Sequence, residues 1–182
     1  MNEIDEIVIT ESRIKEKVKE LADRISQDYE GKDLHLVAVL KGALIFLADF
    51  ARNLTLQTTF DFLVVSNFED AKSSGEVRLL KDLDHSIQGR HVLLVEDVID
   101  NGRTTHALLS TLHLRQPASL KVCTLFDKPV NRLIKVSPDY LGFSLPDRFV
   151  VGYGLDYREK YRNLPYLATL RKEVLSKHLK QQ

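Results

Sequence analysis

The sequence predicts an α/β fold in which a central, mostly parallel sheet is flanked by helices. Three short apolar stretches carry this prediction, at residues 34–40, 92–95 and 120–126. Continuous apolar runs with many branched side chains are typical of strands that are buried on both faces. The first two stretches are each followed by apolar residues at helical spacing, and strands that alternate with helices favour parallel pairing.

Length and composition limit the class of protein. A chain of 182 residues is expected to form a single domain, 1–182, with enough residues for a substantial core. Lys and Arg together number 26, as do Asp and Glu, so no net charge attracts nucleic acid or an anionic membrane. The N-terminus lacks the apolar core of a signal peptide, and no apolar run approaches the roughly 18 residues of a membrane span. We therefore expect a cytoplasmic protein that binds neither nucleic acid nor membranes.

The single cysteine agrees with this compartment. One cysteine, Cys123, excludes an intrachain disulfide framework and fits a reducing environment. It lies within an apolar run, where a buried structural thiol is expected rather than a nucleophile.

The elements of the first half follow in order. A helix is predicted over 10–29, with Thr10 as its N-cap. Its apolar face consists of Ile14, Val18, Leu21 and Ile25. After the strand at 34–40, a second helix is predicted over 43–52 and a second β-rich run over 58–65.

A polar stretch then interrupts the pattern. Residues 66–77 are too hydrophilic for the core, so they form either a plain surface loop or a mobile lid. A short strand is predicted over 78–81, paired across the base of this loop. The helix that follows the apolar stretch at 92–95 is predicted to end near Arg115, with Pro117 as its stop signal.

The last third contains shorter elements. Short β segments are predicted at 139–143 and 148–152, and a final strand with a Lys-rich amphipathic helix at 166–182. Residues 153–165 are rich in aromatic and basic side chains, a combination that can stack on nucleic acid. One such cluster in a neutral chain is weak support for that function.

The turn after residues 92–95 is the most informative stretch. It contains the carboxylates Glu96, Asp97 and Asp100, and Asn101-Gly102 then lead into a helix. Backbone amides at a helix N-terminus favour a phosphate, whereas carboxylates accept hydrogen bonds from a vicinal diol. A ribose 5-phosphate carries both groups, so the turn is predicted to bind one. The alternative is an ordinary turn with solvated acids.

Other phosphate-binding and phospho-acceptor patterns do not fit this stretch. A Walker A loop requires a glycine where Asp97 stands, five residues before Gly102. The chain has no Gly-x-Gly-x-x-Gly dinucleotide fingerprint. A phospho-acceptor receiver domain requires a longer and more regularly spaced series of strands and helices than the chain has after Asp97.

Residues 96–104, Glu-Asp-Val-Ile-Asp-Asn-Gly-Arg-Thr, resemble the ribose-phosphate loop of type I phosphoribosyltransferases. From about residue 5 to 170, the chain resembles the hypoxanthine-guanine branch of that family. The resemblance implies the type I phosphoribosyltransferase fold, with a small hood built from N- and C-terminal segments. It also implies a flexible lid at about 66–78 and a purine-binding part of the hood at about 128–165.

The resemblance implies an activity as well. This is Mg²⁺-dependent transfer of the 5-phosphoribosyl group from phosphoribosyl pyrophosphate to N9 of hypoxanthine or guanine. The products are IMP or GMP and pyrophosphate, and the enzyme is expected to be a homodimer or homotetramer. Two alternatives remain: an RNA-binding regulator with the same fold, and a catalytically weak paralogue that retains ligand binding.

The resemblance implies that the ribose phosphate binds at the loop formed by residues 96–104. Asp100 is implied as the base or acid at purine N7. The ribose-phosphate site is expected to consist of Glu96, Asp97, Asp100, Asn101, Gly102, Arg103 and Thr104. Mg²⁺ is implied at Asp156, with Glu96 and Asp97 as further metal residues.

The remaining site residues lie on other segments. Pyrophosphate is implied at Lys41, Gly42 and Arg162, and the strand, Lys-Gly and helix order at 41–42 is itself an anion-binding arrangement. The purine site is implied to consist of Lys128, Phe149 and Val150. Lys128 would donate to purine O6, Phe149 would stack on the base and the Val150 backbone would hydrogen-bond it. Without the resemblance, Lys128 is equally a solvated lysine before a proline turn.

The lid departs from the family pattern. Ser66-Asn67 stand where the family has a Ser-Tyr pair, and an aromatic residue, Phe68, follows one place later. The resemblance also implies that the peptide before Lys41 can be cis.

Overall fold

The computed structural model describes residues 3–67 and 77–176, with only the backbone described for Asn67. Its strands are β1 (Ile4–Ile9), β2 (Leu34–Leu40), β3 (Thr58–Asn67), β4 (Val77–Lys81), β5 (His91–Ile99), β6 (Ser119–Asp127), β7 (Tyr140–Ser144) and β8 (Leu167–Leu170). Its helices are α1 (Glu11–Asp28), α2 (Leu44–Asn53), α3 (Arg103–His113) and α4 (Lys172–Ser176).

A six-stranded sheet forms the centre, in the order β4-β3-β2-β5-β6-β7. Neighbouring strands pair in parallel, except that β4 is antiparallel to β3. The predicted fold class, a mostly parallel sheet flanked by helices, is therefore confirmed. The strand predicted at 78–81 is also confirmed, as β4 paired with β3.

The two faces of the sheet are covered by different helices. Leu93 and Val95 of β5 pack with α1 and α2, whereas Leu94 packs with Leu108 and Leu112 of α3. Successive side chains of a strand point to opposite faces, so the continuous apolar run of β5 supplies both cores. This is why the sequence shows no polar alternation there.

Helix α1 begins where the sequence predicts. The Thr10 hydroxyl accepts a hydrogen bond from the Arg13 backbone N–H at 3.5 Å, which caps the first turn. The predicted apolar face of α1 is buried in the core with Cys123. Burial raises the pKa of the Cys123 thiol, as expected for a structural cysteine.

A small hood lies beside the main sheet. Its two-stranded sheet pairs β1 with β8 in antiparallel fashion, so N- and C-terminal segments build it together. Exposed side chains extend this link, because Arg148 pairs with Glu6 at 2.7 Å and the Tyr161 hydroxyl donates to Glu3 at 2.6 Å. The hood implied by the resemblance is confirmed, although no strand is predicted at β1 itself.

Two predictions about local structure need correction. Residues 148–152 form no strand, because the backbone turns left-handed at Gly152 and Tyr153, with φ of 104° and 48°. Only isolated bridges occur there, including Val151 to Ala168. At the predicted lid, Ser66 pairs with Arg78, so both strands continue into the stretch predicted as a loop.

The remaining lid positions, 68–76 with Phe68, lie outside the described residues. No helix in the part of the chain that the structure describes is long and apolar enough to cross a membrane.

Candidate active site

Most of the predicted site lies at one edge of the main sheet. Strands β2, β5 and β6 are parallel neighbours, so their carboxyl ends lie side by side. Lys41 follows β2, Asp100 follows β5 and Lys128 follows β6. Ligands of open α/β sheets bind beyond the carboxyl ends of the strands, so these three predicted site residues lie where a ligand is expected to bind.

The turn between β5 and α3 has a fixed backbone. Gly102 is the N-cap of α3 with φ of 84°, a left-handed conformation that glycine adopts without strain. A Cβ atom at Gly102 would overlap the Ile134 carbonyl oxygen. The Asn101 side chain accepts a hydrogen bond from the Arg103 backbone N–H at 2.9 Å. Two constraints therefore require glycine at position 102: the left-handed backbone of the turn and the close approach of the Ile134 carbonyl.

The adjacent acids Glu96 and Asp97 have different surroundings. Glu96 is only 4% exposed and accepts a hydrogen bond from the Thr105 hydroxyl at 3.5 Å, on the α3 side of the sheet. Burial, with the neighbouring Asp97 charge, raises the pKa of Glu96 well above its ordinary value. Asp97 lies toward the other face, against Gly42, where a Cβ atom would overlap its carboxylate. Burial raises the pKa of Asp97 to about 6.

Gly42 is the point where three segments meet. The Leu40–Lys41 peptide before it is cis. Asp97 approaches its Cα, and its carbonyl oxygen lies where a Cβ atom of Gly154 would be. Glycine at both 42 and 154 thus allows β5, the loop after β2 and the hood to approach closely.

Charged side chains surround this junction. Arg162 donates to the Gly154 carbonyl at 2.8 Å and pairs with Asp156 at 2.8 Å and with Glu159 at 3.3 Å. The other carboxylate oxygen of Glu159 lies 2.7 Å from the Lys41 ammonium. The Arg162 Nε atom is buried and has no hydrogen-bond partner among the described residues. Lys41 and Arg162, predicted from distant segments, therefore occur in one network.

The predicted purine-binding residues occur together in the hood. The Lys128 ammonium donates to the Arg148 carbonyl at 2.9 Å, next to Phe149 and Val150. Phe149 is 47% exposed and meets the Tyr157 ring edge-on, with centroids 5.6 Å apart. Val150 is 6% exposed, so its side chain serves the core.

Arg132 is a site-shaping residue that sequence reasoning missed. It donates to the Asp100 carbonyl at 2.6 Å and forms an ion pair with the buried Asp127. The backbone N–H groups of Leu133 and Ile134 both donate to the Asn101 carbonyl, at 2.9 and 3.0 Å. One signal was present: Asp127 ends a buried strand, and a buried carboxylate requires a cation or donors.

The carboxylates fit a magnesium ion only in part. Across residues 3–67 and 77–176, no three His, Cys, Asp or Glu side chains gather into a metal group. Mg²⁺ commonly takes one or two carboxylates, with substrate phosphates and water completing its shell. Asp97 and Asp156 suit this, because both lie near Arg162 and the Asp156 charge contributes to the raised pKa of Asp97. Glu96 lies toward the opposite face of the sheet from them.

Comparisons with known proteins agree with this geometry. The phosphoribosyl transferase domain family matches residues 6–158. The chain is 45% identical over 177 residues to a Streptococcus agalactiae protein named hypoxanthine-guanine phosphoribosyltransferase, covering 97% of this chain and 98% of that protein. It is 44% identical over 176 residues to the bifunctional protein TilS/HprT of Listeria monocytogenes. That match covers 96% of this chain but spans only 27% of the longer protein.

Solved structures are similar over the same length. A hypoxanthine phosphoribosyltransferase from Staphylococcus aureus superposes with a TM-score of 0.92 at 42% identity, covering 96% of each chain. A hypoxanthine-guanine phosphoribosyltransferase from Bacillus anthracis gives 0.87 at 45% identity, covering 93% of this chain and 98% of that one. This chain therefore belongs to the phosphoribosyltransferase family, in its hypoxanthine-guanine branch.

Proposed function

We propose that this protein is a purine salvage enzyme. It transfers the 5-phosphoribosyl group of phosphoribosyl pyrophosphate to N9 of hypoxanthine or guanine, and releases pyrophosphate with IMP or GMP. The observation that carries the proposal is the convergence of three chemistries at one sheet edge. An acidic turn that opens a helix lies between a cationic network at Lys41 and Arg162 and a lysine–aromatic site at Lys128 and Phe149.

The charge of the leaving group sets the largest demand on the site. Pyrophosphate departs as a polyanion while C1′ of the ribose becomes cationic, so fixed positive charge is needed beside the phosphates. Lys41 and Arg162 would supply it, with the Gly42 amide beside them. The buried Arg162 Nε, which has no partner among the described residues, supports this role because an unsatisfied donor is costly unless a ligand accepts from it.

The ribose phosphate would bind at the turn. Backbone and side-chain donors of Asn101, Gly102, Arg103 and Thr104 would hold the 5-phosphate at the start of α3. Glu96 and Asp97 would serve the ribose hydroxyls, each from its own face of β5.

Asp100 is the proposed proton carrier at purine N7. Its side chain is exposed, while its backbone carbonyl is held by Arg132. Acid–base catalysis of this kind typically contributes about 10²–10⁴-fold to the rate.

Base recognition would come from the hood. The Lys128 ammonium would exchange the Arg148 carbonyl for purine O6, Phe149 would stack on the ring and the Val150 backbone would hydrogen-bond its edge. An ammonium meets another donor in the 6-amino group of adenine. Sites built around such a hydrogen bond reject the wrong partner by roughly 10⁴-fold.

Magnesium belongs to the proposal as a cofactor. Asp156 and Asp97 would hold it, and Glu96, on the other face of β5, would support the site from the neighbouring position. When bound, the ion would neutralise charge on the pyrophosphate. Ser66 and Asn67, at the end of β3, would contribute to a lid over the site, and a cytoplasmic homodimer or homotetramer is proposed from the family.

The test is product formation from phosphoribosyl pyrophosphate and Mg²⁺ with hypoxanthine, guanine, xanthine or adenine, each supplied alone. We expect nucleotide from the first two bases and none from adenine. The rate with xanthine, compared with the rates for hypoxanthine and guanine, shows the preference among the 6-oxopurines. Absence of product with all four bases, from a folded protein that binds the donor, would instead indicate a catalytically weak paralogue. The balanced charge of the chain gives no support to an RNA-binding function.

A further inference from the structure

Both cations proposed for pyrophosphate are paired with one carboxylate of the chain itself. Glu159 Oε2 lies 2.7 Å from Lys41 Nζ, and Glu159 Oε1 lies 3.3 Å from Nη2 of Arg162. Lys41 follows β2, whereas Arg162 belongs to the hood, so a single anion bridges two separate segments. A pyrophosphate group bound by the same two cations would make the same kind of bridge.

The backbone of Glu159 is fixed for this contact. Its φ is 63°, and Arg158 and Tyr161 are also left-handed, at 55° and 74°. Left-handed backbone is uncommon for residues other than glycine and clusters at functional sites. The Glu159 backbone N–H also donates to the Asp156 carboxylate at 2.8 Å. The carboxylate is thus presented by an ordered turn and not by a freely extended side chain.

The pairing of Glu159 with Lys41 and Arg162 is not explained by a contribution to folding stability. The Lys41 and Glu159 side chains are 67% and 63% exposed, and exposed ion pairs contribute little to folding. The Glu159 carboxylate is charged at neutral pH, as carboxyl groups ordinarily are. A charged carboxylate on both cations must move before another anion can take its place.

We propose that Glu159 is an affinity-lowering residue that competes with the pyrophosphate group for Lys41 and Arg162. This inference rests on the proposed function, because it requires those two cations to bind pyrophosphate. Glu159 gives way when the donor enters and returns to the cations as pyrophosphate leaves. Its effect is to weaken retention of the product, whose charge otherwise favours slow release.

The test compares pyrophosphate binding in three proteins. Inorganic pyrophosphate with Mg²⁺ is titrated calorimetrically into the wild type, Glu159→Gln and Glu6→Gln. Glu6 is the matched control, because it forms an exposed 2.7 Å pair with Arg148 in the hood and its substitution removes the same charge. Glu159→Gln should bind pyrophosphate roughly fivefold more tightly, the equivalent of about 1 kcal/mol, and Glu6→Gln should match the wild type.

Two further measurements define the outcome. The tighter binding should shrink as salt is raised from low to high concentration, because exposed pairs are screened. Glu159→Ala, which leaves no oxygen for Lys41, should change binding in the same direction as Glu159→Gln. Equal or weaker binding by both Glu159 variants, or equal tightening by Glu6→Gln, would overturn the inference. If the wild type forms nucleotide product but the Glu159 variants bind pyrophosphate no more tightly, the proposed function stands and only the role of Glu159 fails. If the wild type binds neither pyrophosphate nor the donor, the proposed function and the role of Glu159 both fail.

Discussion

The proposed ribose-phosphate loop, residues 96–104, and the proposed pyrophosphate segment, residues 156–162, are held in place by different forces. The loop is held by backbone hydrogen bonds from residues 133–134 to the Asn101 carbonyl. It is also held by the mostly buried ion pair of Arg132 with Asp127, whose side chains are 14% and 10% exposed. The segment is joined to the sheet by exposed pairs, such as Lys41 with Glu159. Buried contacts suit a site that must not move, and exposed pairs can be exchanged for a ligand.

The same difference predicts which substitutions are severe. Changes to the residues that hold the loop in place, such as Gly102 and Arg132, should affect both folding and chemistry, because their contacts leave no space for adjustment. Changes to exposed residues of the segment, such as Glu159, should alter ligand affinity and leave stability almost unchanged. Four substitutions, three of them with a matched control variant, test these expectations in the loop and in the hood, from the largest expected effect to the smallest.

Asp100→Asn should reduce turnover by about 10³-fold. The amide keeps the shape of the side chain but cannot carry the proton, and the Asp100 carbonyl contact with Arg132 involves only the backbone. KM for phosphoribosyl pyrophosphate and the melting temperature should therefore remain near wild type. Steady-state kinetics with hypoxanthine measure the effect, and near-normal turnover would remove Asp100 from the acid–base role.

Gly102→Ala should destabilise the protein by about 3 kcal/mol and abolish activity. The new Cβ atom meets both a left-handed backbone and the Ile134 carbonyl. Gly31→Ala is the matched control, because Gly31 has φ of 72° but no atom lies within 4 Å of the Cβ that alanine would add. It should cost only about 1 kcal/mol and retain activity. Equal losses in chemical denaturation of the two variants would mean that the Ile134 contact is unimportant.

Lys128→Ala should lower kcat/KM for hypoxanthine by roughly 10²-fold and relax discrimination against adenine. Removal of the ammonium would take away the proposed donor for O6 and the proposed repulsion of a 6-amino group. Lys135→Ala, a change of an exposed lysine farther along the same stretch, is the control and should leave both values unchanged. Undiminished rejection of adenine by Lys128→Ala would place specificity elsewhere in the hood.

Sequence reasoning succeeded where local pattern and chemistry coincide. The strand predicted at 34–40 has those bounds, and the acids of residues 96–100 lie at the carboxyl end of β5. Strand β1 was missed because only one of its residues, Ile9, is buried and its partner, β8, is at the other end of the chain. No local pattern marks such a pairing.

The bridging role of Glu159 and the contacts of Arg132 were missed for a similar reason. Glu159 lies in a charged stretch where any of several residues could pair with Lys41, and its left-handed backbone has no glycine to indicate it. Arg132 acts through a backbone carbonyl of another loop, a contact that depends on tertiary position alone. Sequence therefore brought the residues proposed for chemistry to the same edge of the sheet, but it did not reveal the contacts that hold them there.

Arg132→Met tests the difference between buried and exposed pairs directly. Loss of the guanidinium leaves the buried Asp127 without its ion-pair partner and frees the Asp100 carbonyl, so the free energy of unfolding should fall by about 2 kcal/mol. Arg148→Met is the matched change in an exposed pair, with side chains 44% and 56% exposed, and should cost less than about 1 kcal/mol. Urea denaturation gives both values, and kcat should fall only for Arg132→Met, because only that side chain holds the turn that carries Asp100. Equal stability losses would mean that the ribose-phosphate loop is no more firmly held than the hood, and the contrast between the two regions would fail.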